Sequence, residues 1–361
     1  MMEWLILIAS LFLAFNNGAN DNFKGFATVW GSDTLNYRQA LALATLATLA
    51  GSFAALFLAE TLVQNFSGKG LVADAVVNTP VFMLSVACGA AFTIFLATLL
   101  GYPVSTTHAL IGGLLGAGLA QADSAVQLGR LTQTLLLPLL VSPLLAAILG
   151  ALAYMAFRLR AAEDDCLCVV QPELSAAAPP LQSVSLQFPG IVLGTEADCD
   201  TLPVAARFSI SRWLDKLHIF SAMSICFARG VNDTPKIAAL LLASSLTDAQ
   251  TSVWLLAAAM ALGGIVFALR VAERMSHRVA RMDHSQGLAA NLITAVLVLF
   301  ASKLGVPVST THVSVGSIAG VGMRARTLDW VSLRQIMLSW LATLPLAAAL
   351  AWAISNLIRV L

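Results

Sequence analysis

Apolar stretches of about the length a helix needs to cross a bilayer fill most of this 361-residue chain. A span requires roughly 20 apolar residues for a hydrocarbon core about 30 Å thick. Such stretches cover 4–30, 38–59, 80–100, 103–120 and 131–157, and again 217–245, 250–270, 287–304, 306–323 and 333–358. Hydrophobic residues make up 58% of the chain and charged residues 11%, with a mean hydropathy of +0.84. A water-facing domain carries roughly 25% charged residues, so a soluble exterior cannot cover this much apolar surface. The expected class is an all-α polytopic membrane protein seated in a lipid bilayer. The opening MMEWLILIASLFLAF has neither a basic n-region nor a small-residue cleavage site, and is expected to begin a retained helix.

Segment 158–216, with its EDD, PP and many serines, divides the chain into a first membrane unit, 1–157, a linker, and a second membrane unit, 217–361. The linker is expected to be polar and at best weakly structured. With the linker in the cytoplasm and both termini outside, 13 of the 20 Lys and Arg residues fall inside, and only Lys69, Arg130 and Arg359 fall outside. The positive-inside rule favours that orientation, in the cell (plasma or inner) membrane. The net charge of +1 says nothing about partners, no basic stripe points to nucleic acid, and the five cysteines have no zinc-ligand spacing.

The two halves echo each other. GANDNFKG at 18–25 matches GVNDTPKI at 230–237, GYPVSTTH at 101–108 matches GVPVSTTH at 305–312, and Glu60 matches Glu273, each just past an apolar span. Five spans per half is an odd number, so the second copy is expected to run inverted. Inverted repeats, with broken helices or hairpins at the midplane, are the architecture of secondary transporters, whose substrate lies between the repeats.

The first echo places Asn20–Asp21 and Asn232–Asp233 inside apolar spans. Asn and Asp compete for the backbone and interrupt helices. An ionised Asp at the centre of a lone spanning helix costs about 2.5–3.5 kcal/mol on insertion scales. Such a cost, met twice, implies a compensating cation. Unwound carbonyls beside Asn20, Asp21, Asn232 and Asp233 suit Na+, and the carboxylates alternatively carry H+. A plain helix cap at a kink is the competing structural reading.

The second echo is the anion candidate. Pro103 and Pro307 suit a first helical turn, and Ser105, Thr106, Thr107, Ser309, Thr310 and Thr311 would then set hydroxyls beside free backbone N–H groups, where an oxyanion binds. The glycine runs at 112–118 and 316–322 read as close-packing faces. Lys24, Lys236 and Arg229 either neutralise the substrate or pair with an Asp, and the two lysines alternatively snorkel to the interface. Glu60 and Glu273 are either solvated or act in gating. His108 and His312 are expected to pack, and His218, His277 and His284 to lie at the surface.

The paired ND and PVSTTH motifs, with the inverted halves around a linker, make the chain resemble the inorganic phosphate transporter (PiT) family. That resemblance implies broken helices and hairpins within a scaffold, often packed as a homodimer. Inorganic phosphate is then the substrate and Na+ or H+ the coupling ion, with no further cofactor or metal. The implied phosphate shell is Asp21, Ser105, Thr106, Thr107, Asp233, Ser309, Thr310 and Thr311, and the implied cation neighbourhood is Asn20, Asp21, Asn232 and Asp233. Where many members carry a GANDVANA-like stretch, this chain has GANDNFKG.

A sulfate permease of the same fold is the main alternative, and phosphate is preferred because a carboxylate accepts its proton but repels the acceptor-only sulfate. A membrane phosphatase and a receptor or scaffold are alternatives of other classes. Duplicated candidate residues fit alternating access better than one-sided chemistry, so no enzyme is expected.

Overall fold

The computed structural model describes residues 2–121, 126–158, 166–170, 190–194, 204–242, 246–280 and 282–360. Nearly all of this is helical. In the first half run α1 (Met2–Asp21), α2 (Ala27–Gly31), α3 (Tyr37–Leu58), α4 (Glu60–Phe66), α5 (Asp74–Val77), α6 (Pro80–Leu99), α7 (Thr106–Ala120), the single turn α8 (Leu128–Arg130) and α9 (Leu137–Arg158). In the second half run α10 (Ile210–Leu242), α11 (Ala249–Phe267), α12 (Leu269–His277), α13 (His284–Lys303), α14 (Thr310–Ala325) and α15 (Trp330–Val360). Starts are set by side-chain caps: Asn36 accepts from the Gln39 N–H at 3.0 Å, and Asp283 from the Gln286 N–H at 2.8 Å. Asp329, before α15, accepts from Val331 N–H at 2.8 Å and from the Ser332 hydroxyl at 2.9 Å. Those bonds hold its carboxyl below the ordinary carboxylate range.

Among the described residues, seven helical stretches have the length and apolar composition to cross a membrane: Met2–Gly31, Tyr37–Leu58, Pro80–Leu99, Leu128–Ala156, Ala249–Phe267, His284–Lys303 and Trp330–Val360. Their outer faces carry large bare apolar side chains, such as Leu144, Ile148, Phe300 and Leu341. A water-soluble surface avoids that contiguity and a lipid-facing one requires it. The spans expected over 103–120 and 306–323 are instead the short helices α7 and α14, of 15 and 16 residues. Each is the second arm of a hairpin, α6–α7 and α13–α14, and falls short of the length a crossing needs.

The hairpin turns explain the repeated motif. Gly101 (φ +71°) and Gly305 (φ +69°) take the left-handed conformation that ends α6 and α13, which a β-carbon would strain. Pro103 and Pro307, expected from the sequence in the first turn of α7 and α14, lie outside both helices. They lie two residues before the true caps, Ser105 and Ser309, which accept from the N–H groups of His108 (3.1 Å) and His312 (3.2 Å). A serine side chain satisfies the first-turn N–H directly, so the helix starts behind it.

The linker departs from its expected weak structure. Cys166–Val170, Gly190–Gly194 and Val204–Ser209 form a three-stranded antiparallel sheet with the first of these strands in the middle. The all-α expectation holds for the membrane part and needs this small sheet added outside it. CLCVV and GIVLG are short β-prone runs that the surrounding Ser, Pro and acidic residues masked.

Close packing rests on glycines set against carbonyls. Gly112 and Gly116 of α7 abut the Leu344 and Ala348 carbonyls of α15, while Gly316 and Gly320 of α14 abut those of Pro143 and Ala147 in α9. Gly18 and Gly263 join α1 to α11, and Gly51 and Gly230 join α3 to α10. No β-carbon fits at these crossings, as the small-residue runs led us to expect. Gly116→Leu and Gly320→Leu are therefore expected to destabilise by about 1–3 kcal/mol or more. Gly129→Ala, with open space around it, should melt within about 0.5 kcal/mol of the parent. Thermal melts in detergent check the contrast, and equal melting of all three would refute this packing account.

Candidate functional site

The two sequence echoes meet at one buried point. Helix α1 stops at Asp21, and after a two-residue turn the chain makes a 3-10 turn over Lys24–Phe26. The second copy behaves differently, because α10 runs unbroken through Asn232 and Asp233 with Pro235 inside it. Pro235 has no N–H, so the carbonyl one turn back is freed without unwinding the helix. The first motif breaks a helix and the second only loosens one.

Asn17 and Arg229 tie the motifs together. The Asn17 amide donates to Asp21 Oδ2 (3.2 Å), Asp233 Oδ2 (3.2 Å) and Thr106 Oγ1 (2.8 Å), so one side chain bridges both carboxylates and a hairpin tip. Its own oxygen accepts from Arg229 Nη2 at 2.6 Å. Arg229 Nη1 donates to Asn22 Oδ1 (3.1 Å) and Thr48 Oγ1 (3.2 Å), and its Nε lies 3.7 Å from Asp233 Oδ2. Asn17 escaped the sequence reading although the signal was there. It precedes Asp21 by four residues, as Arg229 precedes Asp233, and that spacing shares a helix face.

The lysines do not snorkel to the interface. Lys24 is 3% exposed and Lys236 is fully buried. Lys24 Nζ pairs with Asp21 and donates to Asn20 Oδ1 (3.0 Å), the Val104 carbonyl (2.9 Å) and Thr311 Oγ1 (2.5 Å). Lys236 Nζ donates to Thr107 Oγ1 (2.8 Å) and the Val308 carbonyl (2.9 Å), with Asp233 Oδ1 at 3.6 Å. Each lysine thus holds the backbone of one hairpin tip and the threonine of the other. The tips also bind each other directly, Thr107 to the Val308 carbonyl (3.2 Å) and Thr311 to the Val104 carbonyl (2.8 Å).

Asn20 donates to Thr98 Oγ1 (2.9 Å) and the Tyr102 carbonyl, and its oxygen accepts from Val104 N–H. Asn232 donates to Asp233 and the Val308 carbonyl and accepts from Ser302. The oxygens of both Asn side chains are therefore engaged by protein donors. Ser105, Ser309 and Thr310 stand at the tips, and no candidate named for the phosphate shell or cation neighbourhood is more than 4% exposed.

Other candidates lie elsewhere. Glu60 and Glu273 are exposed and outside this cluster, Glu60 at the rim of a cavity of about 280 Å³ beside Pro235. His108 and His312 pack together, ring centroids 4.5 Å apart, with His312 against Trp340. His218 is buried rather than at the surface, bonded to Thr28 Oγ1 at 2.9 Å, because α10 turns it inward against Gly287. His277 is exposed, and the half-exposed His284 pairs with Asp215.

The fold and motifs have known counterparts. A solved chain titled "The sodium-dependent phosphate transporter" superposes with a TM-score of 0.79 at 22% identity, covering 100% of this chain and 99% of that one. A Thermococcus kodakarensis protein whose name assigns it as a phosphate permease is 27% identical over 97% of both chains. "Inorganic phosphate transporter 2-1, chloroplastic" of Arabidopsis thaliana is 26% identical over 97% of this chain and 71% of its own length. The phosphate transporter family profile matches residues 17–351, which hold both ND motifs and both hairpin tips. The chain is a multi-pass membrane protein and belongs to the phosphate transporter family, whose members are transporters and not enzymes.

Proposed function

We propose that this protein imports inorganic phosphate by symport with a cation, Na+ or H+, through alternating access. The observation that carries the reading is the sealed cluster itself: two carboxylates, three cations and two capped hairpin tips with no candidate more than 4% exposed. Charges are kept at such depth only where they serve an ion or substrate path. A site closed to both sides can load and unload only by opening to each in turn. Asp21, Ser105, Thr106, Thr107, Asp233, Ser309, Thr310 and Thr311 form the phosphate shell, and Asn20, Asp21, Asn232 and Asp233 the cation neighbourhood. The duplicated lysine bonds and glycine crossings support two inverted halves, 1–157 and 217–361, and the Lys and Arg distribution supports a cytoplasmic linker, 158–216, with both termini outside the plasma or inner membrane.

Phosphate is favoured over sulfate because Asp21 and Asp233 accept the proton that phosphate retains and repel an anion that has none. The Na+ option is supported by the likeness to a sodium-dependent phosphate transporter. Radiolabelled phosphate uptake into proteoliposomes, under a Na+ gradient, a H+ gradient or neither, with excess cold sulfate, tests the proposal. Gradient-driven uptake indifferent to sulfate is expected. Sulfate competition, or no phosphate uptake under any gradient, would move the assignment to a sulfate permease.

A further inference from the structure

The buried charges do not sum to neutrality. Among the described residues the buried Asp, Glu, Lys and Arg side chains are Asp21, Lys24, Arg229, Asp233 and Lys236, two carboxylates against three cations. With all five ionised, the core carries one excess positive charge before any ion enters from solution.

The position of that charge is informative. The Lys24 ammonium sits among a carboxylate, an amide oxygen, a backbone carbonyl and a hydroxyl, contributed by Asp21, Asn20, Val104 and Thr311. Lys236 meets the Thr107 hydroxyl, the Val308 carbonyl and the Asp233 carboxylate. Those are the oxygen donor types that hard cations such as Na+ select. An ammonium has three donors, and Lys24 spreads them over four oxygens, so its shell is fully engaged. The remaining charged groups acting on Lys24 are Arg229 and Asp233, and on Lys236, Asp21. A further cation beside either carboxylate would stand against a fixed like charge within a few ångströms, in a medium that screens poorly.

We propose that Lys24 and Lys236 stand in for coupling cations: their ammonium groups fill the two cation positions beside Asp21 and Asp233, so this chain binds and carries its anion without Na+. The inference takes its substrate from the phosphate reading above, but its cation chemistry stands on the two lysine shells alone. An entering monoanion brings the core from one excess positive charge to zero, which makes an exogenous cation unnecessary for neutrality. Of the two coupling ions considered, the proton is the one left.

The test has two arms, equilibrium binding of ²²Na+ to purified protein and phosphate uptake into proteoliposomes in Na+ or choline medium. The parent is expected to show no saturable Na+ binding and equal uptake, within about twofold, in both media. A Lys24→Asn/Lys236→Asn double variant keeps the oxygen shells and removes the like charge. It is expected to gain the saturable Na+ binding that the parent lacks, and any uptake it retains should become Na+-stimulated. Saturable Na+ binding by the parent, a tenfold rise of parental uptake in Na+, or a folded, monodisperse double variant that binds no Na+ would each overturn the proposal. If the double variant does not fold, Lys24→Gln and Lys236→Gln are measured singly, and the parental binding arm decides without them. Absence of phosphate uptake in every medium would defeat the phosphate reading alone, because the binding arm needs no phosphate.

Discussion

Asp21→Asn and Asp233→Asn are each expected to lower phosphate uptake by at least a hundredfold, with the protein still reaching the membrane. Asn keeps the shape of the side chain, and its oxygen still accepts from the Asn17 amide now bonded to both carboxylates at 3.2 Å. The negative charge is what disappears. In Asp21→Asn the Lys24 ammonium, 3% exposed, is left without its direct partner, and removing one member of a buried pair costs about 3–5 kcal/mol. The core also moves from one excess positive charge to two, which binds an anion without the group that receives its proton. Uptake is therefore lost through selectivity and release as well as through stability. Uptake normalised to monodisperse protein separates these effects from misfolding. Parental rates in both variants would remove the carboxylates from the mechanism.

Arg229→Ala is expected to cost stability on the same scale as breaking the Asp21–Lys24 pair. Its guanidinium donates to Asn22, Thr48 and both oxygens of Asn17. These bonds fasten the end of α1 and the turn after it to α10 and α3. Truncation takes the Arg229 donor from Asn17 Oδ1, leaves Asn22 Oδ1 with the Thr48 hydroxyl, and opens a void, so about 3–5 kcal/mol is at stake. The melting temperature should fall by about 5 °C. Arg229→Lys restores the charge but not the planar fork that reaches three residues at once, so it is expected to recover little of the melting temperature. A detergent melt of Arg229→Ala coincident with the parent would show that the fork carries no structural weight.

The membrane class and the meeting of the two echoes were legible in the sequence, because hydropathy and duplication both survive as linear patterns. The duplication also relates Asn17 to Arg229: the interval that carries Asp21 to Asp233 carries one onto the other. Their contact was not legible, because two different residue types at equivalent positions do not read as an echo. The unequal fate of the ND motifs was hidden for a related reason. Both contain helix-unfriendly residues, yet α10 absorbs Pro235 within its run while α1 ends at Asp21. The burial of His218 escaped a reading that placed it at the surface, and for Lys24 and Lys236 the sequence left pairing with an Asp and snorkelling to the interface both open. Burial depends on partners contributed by distant segments, such as Thr311 for Lys24. The linker strands were obscured by flanking composition.

The bonds that join the two hairpin tips come as a matched set, one threonine-to-carbonyl bond and one lysine-to-carbonyl bond for each tip. Parting the tips from one side or from the other breaks like bonds in like number. Neither exit then has a large built-in energetic advantage, and the protein resembles a balance with equal arms. On the proposed function, direction of flux is expected to follow the gradients of the anion and its coupling ion, not the chain. Preloaded vesicles should accordingly exchange internal for external phosphate readily and empty when the outer pool is removed.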